Sequence, residues 1–66
     1  MFAVGQELYL EIDLKKAMFA QLPVQVKYDD SGEIADYGGP IEELTADAVN
    51  INGMYNTKAA CRFYVR

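Results

Sequence analysis

Val24-Gln25-Val26-Lys27-Tyr28-Asp29-Asp30-Ser31-Gly32-Glu33-Ile34-Ala35-Asp36-Tyr37 passes from an alternating segment, through a polar turn, into a second short segment. Over Val24 to Tyr28, apolar and polar side chains alternate with the period of a strand that buries one face. Asp29, Asp30 and Ser31 carry short polar side chains that bond their own backbone, and Gly32 is free to take positive φ. A chain reversal is expected there. Glu33 to Tyr37 then returns antiparallel, completing a hairpin. Its alternation is poor, because Ile34 shares a face with Asp36, and this predicts an edge strand.

Upstream, Glu7-Leu8-Tyr9-Leu10-Glu11-Ile12 alternates without a break and predicts another strand, with Leu8, Leu10 and Ile12 inward. Asp13 stands where an N-cap accepts from the free N–H groups of a first helical turn. Leu14, Ala17, Met18, Gln21 and Leu22 follow at helical spacing, with Lys15 and Lys16 facing solvent. Pro23 ends that helix, because the residue before a proline is pushed out of the helical region. At about nine residues it holds only if docked on a sheet.

Downstream, Gly38-Gly39-Pro40 is the strongest break in the chain. Pro40 to Asp47 reads as one turn of helix, with Pro40 first and Glu42 and Glu43 suited to the positive end of its dipole. Ala48 to Ile51 reads as a short strand, and helix and strand both remain open over residues 40–51. Asn52-Gly53 is the preferred pair for a tight primed hairpin turn. Ala60 to Arg66 alternates clearly, placing Cys61, Phe63 and Val65 on one face and Arg62, Tyr64 and Arg66 on the other.

The two ends match each other. Paired antiparallel, Glu11 meets Arg62, Tyr9 meets Tyr64 and Glu7 meets Arg66, while Ile12, Leu10 and Leu8 meet Cys61, Phe63 and Val65. Such cross-strand pairs contribute roughly 0.2–1 kcal/mol each. Parallel pairing satisfies the outer charges equally well, so adjacency is predicted and direction is left open. The fold class is α+β: a small, mostly antiparallel sheet of three to five strands with one short helix packed on one face.

A chain of 66 residues allows one compact domain, 1–66, with a small core. Domains this short bury only about 60% of the surface their unfolded chains expose. Cys61 is the one cysteine and histidine is absent, so no intrachain disulfide and no ordinary zinc site can form. A hydrophobic share of 52% with 24% charged residues is globular composition. The chain opens without a basic segment followed by an apolar run, and nowhere approaches the roughly twenty apolar residues of a membrane span. With an unpaired cysteine, this predicts the cytoplasm and no membrane partner.

Catalytic chemistry finds little support. Ser31 is the single serine, it sits in a turn, and no histidine exists to activate it. Cys61 is expected inward, as a small apolar residue. Asp29-Asp30-Ser31-Gly32-Glu33 resembles the start of a calcium loop, yet the glycine falls at the fourth position instead of the sixth and no closing glutamate follows. Asp29/Asp30 and Glu42/Glu43 are paired carboxylates without material for a substrate cleft. Gly38-Gly39-Pro40 lacks the lysine and frame of a phosphate loop. The reading is a non-enzymatic protein, with no cofactor and no metal.

Charge is distributed unevenly. Asp29, Asp30, Glu33, Asp36, Glu42, Glu43 and Asp47 place seven of the ten acids between Tyr28 and Thr57, and all six basic residues lie outside that span. With net charge −4, direct binding to nucleic acid is disfavoured and a basic partner is favoured. Tyr28 and Tyr37 flank the acidic turn, and tyrosine is enriched where a side chain is apolar at one end and wet at the other. In size, charge and emptiness of motif the chain resembles the anti-CRISPR and DNA-mimic antirestriction proteins of phages and plasmids. That resemblance implies a stoichiometric inhibitor, active in the host cytoplasm, that occupies the basic DNA or RNA groove of a nuclease or surveillance complex. The seven acids would be its contacts, with Tyr28 and Tyr37 as anchors, on a monomer or weak homodimer. The alternative is a small structural or assembly subunit that self-associates through a sheet edge.

Overall fold

The computed structural model describes residues 2–66. One helix, α1 (Glu11–Phe19), precedes five strands, β1 (Pro23–Tyr28), β2 (Ile34–Leu44), β3 (Ala48–Ile51), β4 (Met54–Thr57) and β5 (Cys61–Val65). The strands form an antiparallel sheet in the order β4-β3-β2-β1-β5, and α1 packs chiefly across β2. The α+β class with one helix on a sheet is therefore what the chain adopts.

The β1–β2 hairpin forms where the alternation and the Asp-Asp-Ser-Gly turn place it, with Gly32 at φ 73°. Val24 and Val26 are fully buried, as are Val49 and Ile51 of β3. At the β3–β4 turn Asn52 and Gly53 both take positive φ, the primed geometry that matches strand twist. Cys61, Phe63 and Val65 complete the core from β5, joined by Leu8, Leu14 and Ala17 from the lead-in and the helix.

Three expectations are corrected. First, Glu7 to Ile12 is not a strand: Glu7 makes a single antiparallel bridge to Tyr64, and the helix starts at Glu11. Leu8 is buried, but Leu10 and Ile12 are exposed. The helix N-cap is Leu10, with no side-chain cap, and Asp13 lies in the first turn, where with Glu11 it faces the positive end of the dipole. The helix ends at Phe19, and Gln21 reverses the chain with φ 55° before Pro23 opens β1. The ends do lie side by side and antiparallel, but the strand beside β5 is β1, in the register Val24–Val65 to Tyr28–Cys61.

Second, β2 is the central strand rather than an edge. Its poor alternation reflects irregular pairing, with register shifts on both sides of Val26. Residues Ile34 to Pro40 pair with β1 alone, and Ile41 to Leu44 pair with β3 alone, so each half keeps one open margin. Third, Pro40 to Asp47 holds no helix. Pro40 sits opposite Pro23 at the last pair of the β1–β2 ladder, a position where its missing N–H leaves no gap inside the sheet. Gly38 and Gly39 bend the strand instead of breaking it: Gly38 has φ 137°, and a Cβ on Gly39 would lie 2.7 Å from Asn52 Oδ1.

Candidate functional site

The acidic residues follow β2 from end to end. At the β1–β2 turn, Tyr28 N–H donates to Glu33 O (2.8 Å) and Gly32 N–H to Tyr28 O (2.9 Å). Ser31 Oγ accepts from Glu33 N–H at 3.2 Å. This backbone frame projects Asp29, Asp30 and Glu33 from the sheet. Asp29 forms an ion pair with Arg62, whereas the Asp30 and Glu33 carboxylates have no partner among the described residues. At the bend, Asp36 accepts from Gly38 N–H (2.9 Å) and from Asn52 Nδ2 (3.2 and 3.3 Å). Beyond it, Glu42 accepts from Gly53 N–H (2.8 Å) and Glu43 from the Tyr55 hydroxyl (2.5 Å). Asp47, in the β2–β3 turn, is exposed, and its carbonyl accepts from Lys58 N–H at 2.7 Å.

These contacts divide the seven acids. Asp29 is neutralised by a base, while Asp30, Glu33, Asp36, Glu42, Glu43 and Asp47 form no ion pair among the described residues. Glu42, Glu43 and Asp36 are instead oriented by neutral donors, which fix a carboxylate without cancelling its charge. Asp29, Asp30 and Glu33 are brought together at the β1–β2 turn, and Asp36, Glu42 and Glu43 beside the β3–β4 turn and β4, while Asp47 stands apart from both in the β2–β3 turn. At about 3.3 Å per residue, Glu33 and Glu43 would be about 33 Å apart on a straight strand, and the bend shortens that span. Tyr28 is half-exposed and Tyr37 largely exposed, and the Tyr37 carbonyl takes a hydrogen bond from Arg66 Nη1 at 2.7 Å.

A second feature escaped the sequence. A cleft of about 250 Å³ opens between the lead-in to α1 and β5, floored by Leu8, Leu14, Cys61 and Phe63. Charges ring its mouth: Lys58 Nζ binds Glu11 Oε2 at 2.5 Å and the Thr45 carbonyl at 2.8 Å, and Arg62 Nη1 lies 3.8 Å from Glu7 Oε2. Glu7 and Glu11 are thus compensated locally, as their match to the last strand suggested, but by Arg62 and Lys58 instead of Arg66 and Arg62. Nothing in the sequence pattern singled out Lys58. The hydrogen bond to Asp29, and then its charge, raise the Arg62 pKa further. Burial, and then the Asp30 charge, push the Cys61 thiol above its ordinary value, which keeps it protonated and unreactive.

Comparison with known protein families, curated proteins and solved structures finds no match to this chain. The site therefore stands on its chemistry. Among the described residues, no group of three or more His, Cys, Asp or Glu side chains is placed to hold a metal ion. No helix among the described residues is long and apolar enough to cross a membrane. What the surface offers is six carboxylates without an ion pair among the described residues, Asp36, Glu42 and Glu43 of them held by neutral donors, with Tyr28 and Tyr37 exposed on the β1–β2 hairpin.

Proposed function

We propose that this protein is a non-enzymatic binding protein that presents its β2 carboxylates to the basic groove of a nucleic-acid-binding protein and thereby inhibits it. The observation that carries the reading is the set of six carboxylates, Asp30 to Asp47, without a cationic partner among the described residues. Self-repulsion among them costs stability, and an oppositely charged surface relieves that cost. A nuclease or CRISPR surveillance complex built to hold a phosphate backbone has the charge to do so. Tyr28 and Tyr37 supply apolar area beside the acids, and Asp29 is reserved for the Arg62 ion pair.

Charge reversal tests this directly. Neither Asp30 nor Glu33 makes a side-chain hydrogen bond or ion pair among the described residues, so the pair Asp30→Lys and Glu33→Lys is expected to change stability by less than about 0.5 kcal/mol. Immobilised wild-type protein should retain basic DNA- or RNA-binding proteins from a bacterial lysate at low salt. Duplex DNA or moderate salt should release them, because the screening length shrinks to about 8 Å at physiological ionic strength. The doubly reversed variant should retain none. Retention that is indifferent to salt, to DNA and to both substitutions would overturn the proposal.

A further inference from the structure

The outward face of α1 is unusual for a helix packed on a sheet. Leu14 and Ala17 point into the core, while Ile12 and Phe19 are exposed, Phe19 at 80%. Seven residues apart, these two side chains stack two turns from each other, roughly 10 Å along the axis, and form a second apolar stripe facing away from the sheet. Lys15 and Lys16 flank the stripe on either side. They are also the two cations that form no ion pair, cation–π contact or side-chain hydrogen bond among the described residues.

A complementary feature lies elsewhere on the molecule. Between the β1–β2 turn and the β4–β5 turn is a depression of about 310 Å³ lined by Tyr28, Asp29, Asp30, Ala59 and Ala60. Its lining is mixed: Tyr28, Ala59 and Ala60 give apolar contact area beside polar atoms, and Asp30, which forms no ion pair among the described residues, puts negative charge on its rim. An exposed aromatic side chain flanked by cations complements it in charge, and the Tyr28 ring and the two alanines offer that side chain something to pack on. Two copies of α1 facing each other across a two-fold axis fit poorly, because Lys15 and Lys16 of both copies would converge.

We infer that the protein self-associates head to tail: Phe19 of one copy seats in the Tyr28–Ala60 depression of the next, and Lys15 and Lys16 face its Asp30. Edge-to-face contact between Phe19 and Tyr28 adds to the burial. Because the two surfaces differ, the contact is heterologous and leaves one of each free at the ends of every open oligomer, so it propagates unless a ring closes. The inference borrows the turn end of the acidic surface and so rests on that end being accessible. A basic partner bound there would compete with assembly.

The test is sedimentation velocity across a concentration series at low salt. Three samples are run: wild type, a helix variant (Phe19→Asp) and a depression variant (Asp30→Lys with Ala59→Arg). Circular dichroism confirms that each is folded. Wild type should grow beyond dimers as concentration rises and shrink again in high salt, and each variant alone should be monomeric. Mixed in equal amounts, the two variants should form a one-to-one dimer and nothing larger, because each retains the surface the other lacks. A wild type that stays monomeric into the millimolar range overturns the inference, as does a mixture that stays monomeric. So does assembly that survives in either variant. Phe19→Asp keeps every β2 carboxylate and should still retain basic proteins, so a failure of self-assembly reads separately from a failure of the inhibitory function.

Discussion

Alanine at position 39 should destabilise the wild-type fold, yet stabilise the same fold once Asn52 is replaced by glycine. A Cβ at Gly39 would lie 2.7 Å from Asn52 Oδ1 and 3.0 Å from its Nδ2, so the carboxamide has to swing aside. In doing so it gives up its bonds to Asp36 at 3.2 and 3.3 Å. Hydrogen bonds to a charged group contribute about 1.5–3 kcal/mol, and partial exposure here puts the loss near the lower end, about 1.5 kcal/mol. Gly39 is not among the glycines with positive φ, so alanine is conformationally tolerated and offsets about 0.4–1 kcal/mol by restricting the unfolded chain. The net cost in wild type is about 0.5–1 kcal/mol.

Asn52→Gly removes the obstacle and still suits the φ of 55° at that turn position. In that background the unfolded-chain term stands alone, and Gly39→Ala should gain about 0.4–1 kcal/mol. The coupling between the two sites is then about 1.5 kcal/mol. For 66 residues, an unfolding entropy of about 2.1 cal/mol/K per residue converts each kcal/mol into roughly 7 °C of Tm. The four proteins of the cycle, melted side by side by circular dichroism, should show Gly39→Ala lowering Tm in one background and raising it in the other. Equal effects in both backgrounds would refute the claim that Gly39 exists to make room for the Asn52–Asp36 contact.

Two further outcomes are expected. Ile51→Ala, at a fully buried site, should cost about 2–5 kcal/mol. That is a large share of the roughly 3–10 kcal/mol typical of 66 residues, whereas Ile34→Ala, at a partly exposed site, should cost about 1 kcal/mol, as read from urea midpoints. Equal costs would place the core elsewhere. For Cys61, the folded-state pKa is raised by burial first and Asp30 second, so its contribution to stability is complete below the ordinary thiol value and is lost as pH rises through the folded one. Alkaline titration of unfolding should therefore be flatter in Cys61→Ala than in wild type, and at neutral pH a thiol reagent should label wild type no faster than the protein opens.

The parts of this fold that were legible in the sequence are those where neighbouring residues decide the outcome. Val24 to Tyr28, the Asp29–Gly32 turn, the Asn52-Gly53 turn and the alternation of β5 are specified locally, and all form where the pattern puts them. The failures have a common cause. Leu8-Tyr9-Leu10-Glu11-Ile12 alternates as a strand would, and Gly5 to Leu8 do bond along the free margin of β5, but that pairing stops at Leu8. Helix then wins from Glu11 onward, because Leu14 and Ala17 can reach the core only from a helix laid over β2. Pro40 to Leu44 has local helix signals that lose to pairing of Ile41 with Ile51 and Leu44 with Val49, partners that lie several residues away in sequence. The acids were legible as an uneven distribution of charge. Their division into one ion-paired and six uncompensated carboxylates depends on Arg62 arriving from the far end of the chain while Lys58 goes to Glu11, which no local pattern encodes.

Gly5 N–H donates to Val65 O at 2.7 Å, Val65 N–H to Gln6 O at 2.9 Å, and Leu8 N–H to Phe63 O at 2.8 Å. Val65 lies opposite Val24, while Tyr28, at the acidic turn, lies opposite Cys61. Gly5 and Val65 therefore lie side by side at one end of the β1–β5 ladder, with the turn at the other, roughly 13 Å of strand away. A linkage made through a side chain placed at position 5 or 65 leaves the molecule from the same corner and holds the acidic turn outward, like a flag on a pole.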